Sequence, residues 1–121
     1  GVILTQDTAD VFSPKGLRGA MGSSFRLPLW IGANFEAAID WCRKNGIVTV
    51  ATEATASTNH DDYAWTQPSA LILGAEAQGL DPDELGAADA KVRIPMLEPV
   101  ESLNVAVAAG IILYEARRQR S

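Results

Sequence analysis

VRIPMLEPVESLNVAVAAGIILYEARRQR, Val92 to Arg120, is the stretch that decides the fold. It divides into a short strand, a polar bend with two prolines, and one long helix. Ser102 stands where a helix N-cap is needed, because its hydroxyl can accept a bond from one of the first unpaired main-chain N–H groups. From Leu103 to Tyr114 nearly every side chain is apolar or small. A helix apolar all round is expected to be covered on all sides, which predicts the central pillar of a domain. Ala106, Ala108, Ala109 and Gly110 leave room for other backbone to come close. Arg117, Arg118 and Arg120 follow Glu115, and cations are favoured at a helix C-terminus by the backbone dipole.

Working outward, the 121 residues are 47% hydrophobic, which suits one globular domain. No apolar run approaches the roughly 18 residues of a membrane span, and the opening GVILTQ lacks a basic start and cleavage site. A soluble cytoplasmic protein that does not enter the membrane is therefore expected. The formal net charge of −5 argues against a free-standing nucleic-acid binder, so any RNA contact must come from local patches or from a further part. Cys42 is the one cysteine and reads as a structural, apolar side chain rather than a reactive thiol. His60, beside Asp61 and Asp62, has no second ligand at a useful spacing, so it reads as a solvated loop residue and no metal site is predicted.

Strands and helices alternate along the chain. Gly1 to Leu4 reads as a strand that opens abruptly, as in a fragment lacking the first strand and helix. Lys15 to Met21 reads as a short helix, and Phe25 to Ile31 as a strand that Pro28 pushes towards an edge or a break. Asn34 caps a helix from Phe35 to Asn45, with Phe35, Ala38, Ile39 and Cys42 on one face and Gly46 at its end. Ile47 to Ala51 is a β-branched buried strand. After a polar loop, Trp65 and Tyr63 mark a return to packed structure; Trp30, Trp41 and Trp65 read as core and interface anchors. Ala70 to Leu73 is the next strand. Asp81, Pro82 and Glu84 then form a capping box for a very short helix stopped by Gly86, before a last strand at Lys91 to Ile94. The predicted class is α/β, with a mainly parallel sheet and helices on both faces.

In such a sheet, ligands collect at loops leaving the carboxyl ends of strands. Three of these loops carry unusual residues: Thr52 to Thr58, Gly74 to Gly79, and Pro95 to Ser102. Glu76 is the lone acid between Gly74 and Gly79. The loop GAEAQG is neither a phosphate-binding P-loop nor a dinucleotide fingerprint, since GK[ST] and GxGxxG are both absent. On the residues alone it reads as a tight strand-to-helix turn or as a ligand loop, and the bend IPMLEPVESLN as a stiff connection or a site.

LILGAEAQGL, Leu71 to Leu80, followed by IPMLEPVESLNVAVAAGIILYEARRQ, Ile94 to Gln119, resembles the second and third motifs of the SpoU (TrmH-type) RNA methyltransferases of the SPOUT superfamily. SPKGLRGAMGSSFRLPL, Ser13 to Leu29, resembles the segment ahead of them. The resemblance implies an α/β domain whose C-terminal part is tucked into a deep trefoil knot, an exception to unknotted chains. It also implies a homodimer that binds S-adenosylmethionine and methylates a ribose 2′-hydroxyl of rRNA or tRNA. By position, Thr52, Leu73, Gly74, Gly79, Ile94, Met96 and Leu103 would surround the cofactor. Glu76, Ser102 and Asn104 would be the polar groups nearest the reacting centre, and Arg18 the arginine that meets RNA phosphate. Methyl transfer of this kind needs alignment and proton removal rather than a metal.

The family's first motif, an Asn and Arg stretch ahead of the opening strand, is absent from these residues, and Ala77 stands where many relatives have glycine. Little methyl transfer is therefore expected of this chain by itself. The rival expectation is a non-catalytic dimerisation or RNA-docking module that keeps the knotted fold.

Overall fold

The computed structural model describes residues 2–5, 28–74, 80–97 and 104–121. The chain forms two compact units, Gly1–Asp40 and Trp41–Ser121. In the first, β1 (Val2–Thr5) and β2 (Leu29–Ala33) pair in parallel. Of the predicted strand from Phe25 to Ile31, the part before Pro28 lies outside the described residues; β2 starts after Pro28, whose ring nitrogen has no hydrogen to give a ladder. The Pro28 carbonyl instead accepts from the Val2 N–H at 3.0 Å. The register slips by one residue between Leu4 and Thr5, opposite Gly32, whose φ of +74° is open to glycine at little cost. The predicted helix at Lys15 to Met21 lies outside the described residues.

Helix α1 (Phe35–Lys44) begins as its sequence requires. The Asn34 side-chain oxygen accepts from the Ala37 N–H at 3.2 Å, and Ala38, Ile39 and Cys42 are buried. Its end is a Schellman turn: Ile47 N–H donates to the Cys42 carbonyl at 2.9 Å, Gly46 N–H donates to that of Arg43 at 3.3 Å, and Gly46 sits at φ +68°. Burial, and secondarily the nearby Asp89 carboxylate, pushes the Cys42 thiol above its usual range, which suits an inert core thiol.

The second unit is built on three parallel strands in the order β4 (Ser69–Ile72), β3 (Val48–Thr52), β5 (Ala90–Val92). Both flanking pairs leave β3 in the centre, where Val50 and Ala51 are completely covered. Val50, Val92, Trp65 and Ile112 make the core. The connection from β3 to β4, residues 53–68, contains no helix. Trp65 takes on the covering that a crossover helix would give: it is 2% exposed, its indole N–H donates to the His60 carbonyl at 2.7 Å, and Tyr63 meets its ring edge-on. Trp30 and Trp41 are exposed, so of the three tryptophans only Trp65 is a core anchor.

Helix α2 (Pro82–Ala87) has the predicted capping box: Asp81 accepts from the Glu84 N–H at 2.8 Å and Glu84 accepts from the Asp81 N–H at 3.1 Å. It continues through Gly86 rather than stopping there, and closes at Ala88 in extended backbone. Beyond it, Asp89 grips the start of β3. One carboxylate oxygen accepts from both the main-chain N–H and the hydroxyl of Thr49, at 2.9 and 3.1 Å.

The last helix, α3 (Val105–Arg120), departs from the expectation in two ways. Asn104, not Ser102, is its cap: the Asn104 side-chain oxygen accepts from Ala106 and Val107 N–H at 2.9 and 3.3 Å. Either residue type can cap, but once Asn104 adopts non-helical backbone and aims its oxygen at the first turn, the helix can start no earlier than Val105. Nor is the helix covered on all sides in the single chain. Ile112 is its one buried residue, while Val107, Ile111, Leu113 and Tyr114 are 51, 36, 58 and 70% exposed.

Candidate functional site

Parallel strands all present their carboxyl ends to one edge, and that edge of the second unit gathers most of the described candidate residues. Thr52 closes β3. Leu73 and Gly74 leave β4, and Ile94 and Met96 leave β5. The ladders end at Ile72 and Val92, so Leu73, Gly74, Ile94 and Met96 lie past the last rungs, where strand pairing no longer consumes main-chain donors and acceptors. Thr52, Gly74, Ile94 and Met96 are half-buried and Leu73 is 38% exposed. Ile94 also packs against the core, which ties this edge to the sheet. The result is an apolar lip with main-chain polar groups along it, the kind of surface that suits a flat heterocycle read by backbone.

The wall after β5 is stapled to the crossover from β3. Arg93 N–H donates to the Thr58 carbonyl at 2.9 Å, His60 N–H donates to the Arg93 carbonyl at 2.8 Å, and the Arg93 side chain donates from Nε to Asn59 Oδ1 at 2.9 Å. Glu53 N–H donates to Val92 at 3.0 Å and extends the pairing one step beyond β3. His60 is accordingly half-buried rather than a solvated loop residue, and its Nδ1 is buried without a hydrogen-bond partner among the described residues.

Asn104 is placed by two points along α3. The C-terminal end of the helix bonds to Trp65 and Gln67, just ahead of the start of β4, and Ile112 packs on Val50 and Val92 in mid-sheet. Eight residues of helix before Ile112 cover about 12 Å and point the N-terminus towards the carboxyl edge. Asn104 therefore heads for the same edge as Thr52, Gly74 and Ile94. Arg18, Glu76, Gly79, Ser102 and Leu103 lie outside the described residues. Among the described residues no group of three His, Cys, Asp or Glu side chains is arranged to hold a metal, and no helix is long and apolar enough to cross a membrane.

Sequence reasoning gave Arg120 only a part in a dipole interaction and gave Gln119 no role. In the structure both hold the crossover. Trp65 N–H donates to Gln119 Oε1 at 2.7 Å, Gln119 Nε2 donates to the Tyr63 carbonyl at 2.9 Å, and Arg120 donates to the Trp65 and Gln67 carbonyls, each at 2.8 Å. The signal for this was a half-polar helix end, whose partners are main chain and so leave no mark in side-chain patterning.

The model of the SpoU rRNA Methylase family matches residues 1–114. The 23S rRNA (uridine(2479)-2'-O)-methyltransferase of Streptomyces viridochromogenes is 39% identical over 125 residues, covering 99% of this chain and 44% of that protein. The 23S rRNA (guanosine(2553)-2'-O)-methyltransferase RlmP of Bacillus subtilis is 34% identical over 116 residues, covering 96% and 46%. The crystal structure of the SpoU methyltransferase AviRb from S. viridochromogenes in complex with the cofactor AdoMet superposes with a TM-score of 0.90 at 37% identity, covering 98% of this chain and 49% of that one. This chain thus spans about half the length of the relatives it matches. With the family model matched over most of its length and relatives above 30% identity across nearly all of it, the chain belongs to the SpoU rRNA methylase family.

Proposed function

We propose that this chain is the cofactor-binding part of an S-adenosylmethionine-dependent RNA 2′-O-ribose methyltransferase acting on rRNA or tRNA. The observation that carries the reading is the gathering of Thr52, Leu73, Gly74, Ile94 and Met96 at one sheet edge, in a fold that matches an AdoMet-bound relative at a TM-score of 0.90. Those residues suit an adenosyl group: apolar side chains to flank the ring, and main-chain groups beyond the ladder to pair with its edge. Gly79 and Leu103 complete the pocket by position. Bound S-adenosylmethionine supplies a sulfonium-activated methyl group.

The residues of the chain then have to align a ribose hydroxyl with that methyl and help its proton leave. Ser102 and Asn104 orient the hydroxyl. The capping bonds already hold the Asn104 side-chain oxygen against Ala106 and Val107 N–H, which fixes the orientation of its amide. Glu76 holds the Gly74–Gly79 loop or a partner cation, and Arg18 meets RNA phosphate. A trefoil knot in the C-terminal part, a homodimer and a cytoplasmic setting belong to the same reading, and the exposed apolar residues of α3 favour the homodimer.

Calorimetric titration with S-adenosylhomocysteine tests the proposal. Saturable binding at one site per chain is expected, weakened by Gly74→Val, whose added side chain fills the lip. A folded chain that does not bind sinks the cofactor assignment. Methyl transfer to RNA is expected to be low for residues 1–121 and to rise when the family's first motif is joined ahead of Gly1; equal activity with and without it would remove that part of the proposal.

A further inference from the structure

The end of β5 is gripped from both edges. Successive residues of a strand turn their main-chain N–H and C=O groups to opposite edges, and here the switch falls between Val92 and Arg93. Val92 faces β3, its carbonyl accepting from the Glu53 N–H at 3.0 Å. Arg93 faces away from β3: its N–H donates to the Thr58 carbonyl at 2.9 Å and its carbonyl accepts from the His60 N–H at 2.8 Å, which makes one isolated parallel rung with Asn59. Glu53 and Asn59 therefore stand on opposite edges of one strand, about 10 Å apart at two strand spacings. Residues 54–57 have to cross the end of β5 to join them.

This crossing is short and lightly held. Ala56 is its inward residue, 8% exposed, and its N–H donates to the Glu53 carbonyl at 3.1 Å to close a turn. An isolated rung has no neighbouring rungs to share the entropy lost in ordering two segments, so a side-chain bond beside it counts for more than it would within a ladder. That bond runs from Arg93 Nε to Asn59 Oδ1 at 2.9 Å. Val92 is buried, Arg93 exposed and Ile94 half-buried, an alternation that puts the Arg93 side chain on the opposite face from the other two. The latch closes on the outer face while Val92 and Ile94 pack with the core.

We propose that Asn59 and Arg93 are positioning residues whose side-chain bond holds residues 53–60 across the end of β5. The bond thereby sets where Ile94 and Met96 stand beside Thr52. By the same alternation the Ile94 main chain turns back to the β3 side, just past the last rung, so a latch that slips lets that edge rotate. The inference rests on the cofactor-pocket reading for its effect on binding and on the hydrogen bonds alone for its structural part.

Asn59→Leu removes the acceptor at similar size, and Arg93→Met removes the donor while keeping the apolar stem. With residues 1–121 labelled with nitrogen-15, either variant is expected to move the His60, Ile94 and Met96 amide resonances. S-adenosylhomocysteine should bind each about three- to tenfold more weakly, the loss of roughly one hydrogen bond's worth of placement. Asn59→Asp keeps an acceptor for Arg93 and should bind like the wild type. The double variant Asn59→Leu with Arg93→Met should bind no more weakly than either single one, because both remove the same bond.

Thr49→Val is the control. It deletes the hydroxyl that bonds Asp89 at the amino end of β3, so it should lower the melting temperature yet leave affinity and those resonances unchanged. A folded Asn59→Leu with the Ile94 and Met96 resonances in place would overturn the proposal, as would losses that add in the double variant or a Thr49→Val that weakens binding equally. Failure of the wild-type chain to bind S-adenosylhomocysteine would count against the pocket instead, and the resonances would still decide the latch.

Discussion

Glu115 carries the largest electrostatic perturbation among the described residues. Its carboxyl is brought down to about 2, first by the hydrogen bond from Arg118, then by that from Gln119, with the His60 and Arg118 charges adding to them and burial opposing. A carboxylate held below its unfolded value of about 4.3 stabilises the fold fully above that pH, and the stabilisation drains away as pH falls towards 2. Urea midpoints measured at pH 6 and at pH 3 should therefore differ more for the wild type than for Glu115→Gln; parallel losses would mean that Glu115 is bonded equally well in the unfolded chain. Neighbouring residues mark what could be read from sequence at this scale. The cap at Asn34 was legible as a polar residue ahead of an amphipathic helix, and that at Asp81 from the proline and glutamate that complete its capping box. Ser102 and Asn104 both qualify, two positions apart, and only the backbone angles chose between them.

At the scale of elements, α1 shows how a local signal fixes a boundary. Lys44, Asn45 and Gly46 end the helix where expected because the left-handed turn at Gly46 satisfies two carbonyls at once. No atom lies within 4 Å of a Cβ added there, so the cost of Gly46→Ala is conformational alone. The substitution should destabilise by about 1–2 kcal/mol, read from chemical denaturation. A neutral result would show that the turn relaxes to negative φ. The central strand β3 was legible from its β-branched run, and β2 was legible from Leu29 to Ile31, just after the proline that marks its start. Coverage of α3 was the deeper failure. Hydropathy records that a surface avoids water, not whether its own chain covers it.

That uncovered surface bears on the whole molecule. Val107, Ile111 and Tyr114 recur at i, i+4 and i+7, so they form one stripe along α3, turned well away from the side that buries Ile112. Fifty-one, 36 and 70% exposure is costly for such side chains in a chain free in water, and the stripe is uncharged, while the molecule as a whole carries −5. The proposed homodimer would cover it: an apolar helix face can pair with itself under two-fold symmetry without bringing like charges together. Sedimentation should accordingly give twice the chain mass at micromolar concentration, and Ile111→Asp combined with Tyr114→Asp should give the single chain with its secondary structure retained. Neither position touches the core that holds the strands, so a double variant that unfolds would place the stripe inside the fold rather than between copies. A wild type that sediments as one chain would leave the stripe to some other apolar surface.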